Sequence, residues 1–367
     1  MRHRRYLITS CIVHRALCIV LCASCSSVFG AENKAFWHDW PCIGAPIVNY
    51  SPETDWVFGA GVQGYLYMPS DTVHRSTLVF DGAYSLHQQW YVHTSGNLYF
   101  GGKIPVRLRF RGGYRDYPDV FYPRGNQMAH GRSGAVVVET QRINFYVEPA
   151  IRVSEHWYVG PVVDFLYETT SQTDSVMQLG IGLVAQYDTR NVLFYPSQGL
   201  FFMAGIVYYT PLAGRSCQMA MLHTDLRQYL HFGREFIFAW QFRTQWVLAA
   251  HAADIPYMLL PTLGGQDLVR GVRTSMFRDN AMMALQAEVR IPIWRMVRCC
   301  VFAGIGDVYN TNNWVWATPK VGYGLGLRVG INRDKVNIRL DVARSNIYKE
   351  WNTWQSYSFY LTATEAF

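Results

Sequence analysis

The stretch Leu263-Gly264-Gly265-Gln266-Asp267-Leu268-Val269-Arg270-Gly271-Val272 decides how this chain is to be read. It joins a glycine pair to an arginine followed at once by another glycine, and strand-like runs lie on either side. Upstream, Phe236, Phe238, Trp240, Phe242, Trp246 and Leu248 share one face of the run 235–249, while Gln241, Arg243 and Gln245 stand on the other. Downstream, Met283, Leu285, Ala287, Val289 and Ile291 alternate with Gln286, Glu288 and Arg290. Successive side chains of a strand point to opposite faces. Large apolar groups on one face and polar groups on the other is the pattern of a transmembrane barrel, greasy towards lipid and polar within. A small soluble barrel has the reverse arrangement.

The bulk numbers agree. Of 367 residues, 50% are hydrophobic and 15% aromatic, but only 16% are charged, against roughly 25% in soluble domains. No apolar run of about 18 residues follows the N-terminus, so a membrane-spanning helix is not expected. Composition alone fits a membrane barrel or a soluble β-sandwich; alternation points to the first. Residues 1–30 read as a secretory signal peptide: Arg2, Arg4 and Arg5, a mostly apolar Leu7 to Ala23, then Val28-Phe29-Gly30-Ala31 for cleavage. Cys25 lacks the leucine three places earlier that lipidation favours. Cleavage removes four arginines and no acid, taking the formal charge from +7 to about +3, so the basic balance is no argument for nucleic acid. Cys42, Cys217, Cys299 and Cys300 remain, with neither a disulfide framework nor a metal-site spacing, and no metal or cofactor is expected.

Sixteen strands are predicted near 43–50, 57–68, 76–86, 89–100, 104–114, 134–149, 156–167, 176–187, 200–209, 217–229, 235–249, 281–291, 299–308, 320–330, 335–344 and 355–366. An even number places both ends in the periplasm. The long connections Arg115 to Ser133 and Ala250 to Asn280 then fall on the extracellular side, and Asp188 to Gly199 is a periplasmic turn. The expected organisation is a signal peptide (1–30), a short lead (31–42) and a barrel (43–367). The lead is too short for a soluble domain, which starts at about 50 residues.

These residues resemble the BamA/TamA-like superfamily of outer-membrane assembly factors, the bacterial surface antigen barrels. In that family the arginine of a Val-Arg-Gly-aromatic core reaches from an extracellular loop into the lumen. Here the core is Val269, Arg270 and Gly271, preceded by Gly264 and Gly265, with Val272 where the aromatic stands. Further matches follow in family order. Asp188, Arg190, Tyr195, Pro196 and Gly199 resemble the periplasmic turn, and Glu288, Arg290 and Pro292 the strand after the inserted loop. Tyr323 to Arg328 with Ile338 to Ala343 resemble the penultimate hairpin, and Asn49 to Thr54 the opening one. Phe359, Leu361 and the terminal Phe367, read as sharing one face, resemble the C-terminal insertion signal; the alternative for the terminal aromatic is a simple interfacial anchor.

The resemblance implies that Arg270 seeks a carboxylate on the wall, because a guanidinium is always charged and costly to bury unpaired. Glu288 is the first choice of partner. The family strand Phe-x-Asp-x-Gly has glycine at Gly304 in place of its acid, and Asp307 is the other candidate. The bare row Gly322, Gly324, Gly326 and Gly330 either admits the loop closely or marks a bend.

Enzyme chemistry has little footing. Gly59-Ala60-Gly61-Val62-Gln63-Gly64 matches a dinucleotide fingerprint but lies inside a strand with no helix after it. His223 and Asp225 share a strand face, as alternation often arranges. The reading is therefore a non-enzymatic, sixteen-stranded barrel in the outer membrane of a Gram-negative bacterium, in contact with lipid and lipopolysaccharide. By resemblance it assists insertion or translocation of proteins, with unfolded outer-membrane or surface protein clients and periplasmic accessory proteins as partners. A transport pore with a plug-like loop, a barrel lipid hydrolase and a structural surface antigen are the alternatives.

Overall fold

The computed structural model describes residues 42–51, 55–66, 76–127, 135–171, 175–193, 195–214, 217–233, 236–251, 255–294, 296–310, 318–330, 337–347, 356–362 and 365–367. The expected signal peptide and all but the last residue of the lead lie outside the described residues. Sixteen strands form one antiparallel sheet: β1 (Cys42–Ser51), β2 (Asp55–Leu66), β3 (Ser76–Ser85), β4 (Trp90–Phe100), β5 (Val106–Asp116), β6 (Thr140–Arg152), β7 (Trp157–Thr170) and β8 (Val176–Asp188). The second half comprises β9 (Gly199–Gly214), β10 (Met219–Phe232), β11 (Phe236–Ala249), β12 (Ala281–Trp294), β13 (Val297–Tyr309), β14 (Lys320–Gly330), β15 (Asn337–Ser345) and β16 (Tyr357–Thr362). Each strand pairs with the next in sequence, without a crossover, as in an up-and-down barrel. No ladder between β1 and β16 is present among the described residues. The sheet curls strongly: Arg109 on β5 reaches the Met203 sulfur on β9 at 3.2 Å, and Tyr99 on β4 meets Tyr158 on β7 edge-on at 6.3 Å.

The register gives every strand one inner and one outer face. Ile181, Leu183, Leu325 and Leu361 on the outer face are 58–68% exposed. Water would penalise so much bare aliphatic surface, whereas hydrocarbon solvates it. Inner positions carry Glu148, Gln178, Asp225, Gln241, Gln286 and Glu288, all buried.

Several expected boundaries differ, the strand predicted at 200–209 running on to Gly214, and two of the differences have a plain cause. The run predicted at 134–149 divides: Val136–Val138 leaves the wall and pairs with Asp119–Phe121 in a two-stranded piece of its own, and β6 begins at Thr140. Three valines in succession carry no inside–outside alternation to hold them in the wall. The last strand, predicted to run to 366, stops at Thr362.

The connections 117–139 and 250–280 follow odd-numbered strands and so emerge at one end; the 189–198 turn is at the other. They interlock over the mouth. The Tyr122 amide donates to the Tyr257 hydroxyl at 2.7 Å, and that hydroxyl donates to the Tyr122 carbonyl at 2.9 Å. Phe121 and Tyr257 stack at 4.2 Å, and Arg124 pairs with Asp279 at 3.0 Å. Next to these contacts lies an apolar cluster of Tyr122, Leu263, Leu268, Val269, Val272, Met276 and Phe277, packed on Met282, Ala284 and Val308 of the wall.

Candidate functional site: the loop folded into the lumen

The loop after β11 descends as a narrow hairpin, paired at Thr262–Leu263 with Phe277–Arg278. Its tip turns tightly: the Gly265 amide donates to the Val272 carbonyl at 3.0 Å, and the Val272 amide to Val269 at 3.2 Å. Gly264, Gly265 and Gly271 all take positive φ, and so does Val269 at 51°. A β-branched residue there costs on the order of 1–3 kcal/mol. Complete burial of Val269 in the apolar cluster, and its amide's bond to Gln286 at 3.2 Å, offset that cost.

The glycine row accepts the loop at one position above all. A β-carbon at Gly322 would fall on the Arg270 carbonyl, and one at Gly271 would strike the Arg344 backbone. Gly304, the residue in place of the family's acid, lies under Val269. Its missing side chain makes room for the loop.

Arg270 is buried and donates to two carboxylates, Glu288 on β12 at 2.7 Å and Asp341 on β15 at 2.8 Å. Its guanidinium lies 3.5 Å above the centre of the Phe302 ring. Around it the charges mesh. Arg290 donates to the other Glu288 oxygen at 2.6 Å, and Arg328 bridges Asp341 at 2.5 Å and Glu365 at 2.8 Å. Arg339 lies 3.5 Å from Asp341 and 3.4 Å from Asp267 of the loop tip. Four guanidinium groups thus meet four carboxylates, with no net charge to bury. Gly271 adds an amide bond at 3.2 Å to the Tyr360 hydroxyl on β16.

Of the two acids expected to meet Arg270, only Glu288 does so. Asp307 instead accepts from Lys320 at 2.7 Å and from the Val308 amide at 2.9 Å. Asp307 lies near the mouth end of β13, whereas Arg270 stacks on Phe302, five residues farther into the barrel. Asp341, Arg328, Arg339 and Glu365 were not singled out as site residues. For Arg328, Arg339 and Asp341 the signal was the polar parity of β14 and β15, which shows that they face inward but not that the loop reaches them; Glu365 lies past the end of β16, where parity gives none.

The 189–198 turn, expected on the periplasmic side, reaches the same cluster from the other end. Asp188 and Arg190 form a two-pronged pair at 2.9 and 2.7 Å, and Gly199 takes a φ of 113°. Arg290 donates to the Pro196 carbonyl at 3.2 Å and lies 4.7 Å from the centre of the Tyr195 ring. One arginine therefore ties the turn to Glu288.

Phe359 and Leu361 point outward on β16, but Phe367 does not share their face. The chain leaves the strand after Thr362, and Phe367 is buried with Tyr229, Ala239 and Ala366. Its main-chain oxygen accepts from Arg290 at 3.4 Å. A lumenal niche lined by Tyr229 and Ala239 is available to the ring, and the Glu365–Arg328 pair draws the tail inward. His223 and Asp225 form no catalytic pair: Asp225 is engaged by Arg227 at 2.9 and 2.5 Å and by Gln241 at 2.8 Å.

Comparison with known proteins agrees with this geometry. Residues 119–367 match the Omp85 superfamily domain. The chain belongs to the Omp85 superfamily. It is similar in structure to BamA from Haemophilus ducreyi lacking POTRA domains 1–3, with a TM-score of 0.56 and 14% identity over 88% of this chain and 69% of that one. CdiB from Escherichia coli gives 0.56 and 10% over 88% of this chain, and CdiB from Acinetobacter baumannii 0.53 and 9% over 87%. The chain spans 62% and 58% of those two CdiB chains. No curated protein matches it in sequence. As an Omp85 barrel, it is a protein of the Gram-negative outer membrane.

Proposed function

We propose that this Omp85 barrel assists the insertion or translocation of other proteins at the outer membrane, with the Arg270 loop as a lumenal latch. The supporting observation is where the latch closes. Arg270 and Gly271 hold β12, β15 and β16 at once, so the loop ties the last strand of the sheet to the wall behind it. Strand edges without partners are costly in lipid and can template an incoming strand. A loop that pins the last strand sets how readily such an edge is presented. The partners are outer-membrane lipid and lipopolysaccharide, unfolded outer-membrane or surface protein clients, and periplasmic accessory proteins.

Quantitative outer-membrane proteomics tests this, comparing a strain lacking the chain with an Arg270→Ala strain of equal barrel abundance. Selective loss of particular surface proteins in both strains is the expected result. An unchanged proteome in both would overturn the assembly role and return the loop to a plug in a transport pore.

A further inference from the structure

Ion pairing neutralises the latch, and it neutralises the cluster where Arg115 and Arg142 meet Asp119 and Glu168. It fails on the inner wall formed by β5–β11. There, among the described residues and apart from the balanced Asp188–Arg190 pair, five arginines (Arg107, Arg109, Arg111, Arg227 and Arg243) face three acids (Glu148, Asp164 and Asp225). Glu148 accepts from both Arg107 and Arg109. Asp225 is taken by Arg227 and Gln241, although Arg243 stands directly opposite it in the register. Asp164 accepts from the Tyr209 hydroxyl at 2.8 Å and is the acid within charge–charge range of Arg111, without an ion pair to it.

Arg111 and Arg243 are left over. Neither forms an ion pair among the described residues; Arg111 lies over the Tyr146 ring at 4.6 Å. Both are exposed although both face inward by register, so their donors open onto water inside the barrel. Each lies within charge–charge range of the other and of His223, whose ring occupies the space that Gly205 leaves bare. Asp267 at the loop tip is a further acid within charge–charge range of Arg243, and it is paired with Arg339.

We infer that this wall is an anion site, centred on Arg111 and Arg243, for a phosphate group. The local surplus is two positive charges, and a phosphate monoester carries about −1.5 to −2 at neutral pH. Guanidinium forks match phosphate oxygens in two-pronged contacts. The phosphate source is free anion or a phosphorylated glycolipid headgroup, which share this chemistry. The site is independent of the assembly role, since it involves none of the latch contacts.

The full-length barrel in detergent micelles is titrated calorimetrically with inorganic phosphate, and separately with micelles doped with a bisphosphorylated glycolipid or its dephosphorylated form. Folding of every variant is checked by heat-modifiable gel mobility. Saturable binding is expected, weakened about tenfold or more by Arg111→Gln and by Arg243→Gln, and unchanged by Arg142→Gln in the balanced cluster. Arg243→Lys, which keeps the charge and loses the fork, falls between and stands in if the glutamine variant does not fold. Binding of inorganic phosphate identifies the free anion as sufficient; binding of the phosphorylated glycolipid alone identifies the headgroup. No binding in either arm, or binding indifferent to both arginines, overturns the site.

Discussion

Replacing Asp341 with asparagine tests whether ion pairing holds the loop in the lumen. Asp341 is buried and meets three guanidinium groups, Arg270 at 2.8 Å, Arg328 at 2.5 Å and Arg339 at 3.5 Å. Asparagine keeps the shape and removes the charge. Arg270 retains Glu288, Arg328 retains Glu365 and Arg339 retains Asp267, so no guanidinium is stranded outright. Breaking a fully buried pair costs about 3–5 kcal/mol; with these second partners the lower end, about 3 kcal/mol, is expected. If most of that falls on the docked loop, its opening becomes about a hundredfold easier. The assay is hydrogen exchange at the Gly265 and Val272 amides, both bonded inside the loop tip. Exchange there should accelerate about a hundredfold while the β8–β10 amides stay protected. In an Arg270→Met background the same substitution should do less, with a coupling of about 1–3 kcal/mol. Asp307→Asn is the control, because its partner is Lys320, and the loop tip should not respond. Unchanged exchange in Asp341→Asn, or effects that simply add in the double variant, would refute the latch energetics.

Two further outcomes follow from packing. Gly322→Ala places a methyl on the Arg270 carbonyl and should lift the loop tip, at about 1–3 kcal/mol, raising exchange at Val272 without lowering barrel yield. Phe367→Ala empties the niche against Tyr229 and Ala239 and should destabilise the folded barrel by about 3–5 kcal/mol, read as a lower midpoint for heat-induced mobility change. If Phe367 were a lipid-facing anchor, its replacement by leucine would be nearly neutral; a lumenal ring should lose measurable stability on that change.

Much of the barrel was legible because alternation is a local code. In β11, β12 and β15 each residue's face follows from parity, so Gln241, Glu288 and Asp341 read as inward without any tertiary information. Arg270 stood out for a different reason: the stretch around it resembles the family's inserted-loop motif, and its glycines permit the positive φ that the tight turn adopts. Parity misled only where it does not apply. The valines at 136–138 had none to follow, and Phe367 lies beyond the end of the ladder that would have fixed its face.

The sequence by itself determined the number of strands and the faces they present; the inward loop was legible only through its resemblance to a family motif. Strands and their faces depend on neighbours within a few residues. Only the tertiary structure decided which acids Arg270 meets, that Asp307 belongs to Lys320, that the tail turns into the lumen, and that Arg111 and Arg243 form no ion pair among the described residues. Those are questions of depth along the barrel axis and of who stands across the lumen. Strand stagger, wall curvature and the descent of one loop set those distances, and a residue's inward parity is the same at every depth.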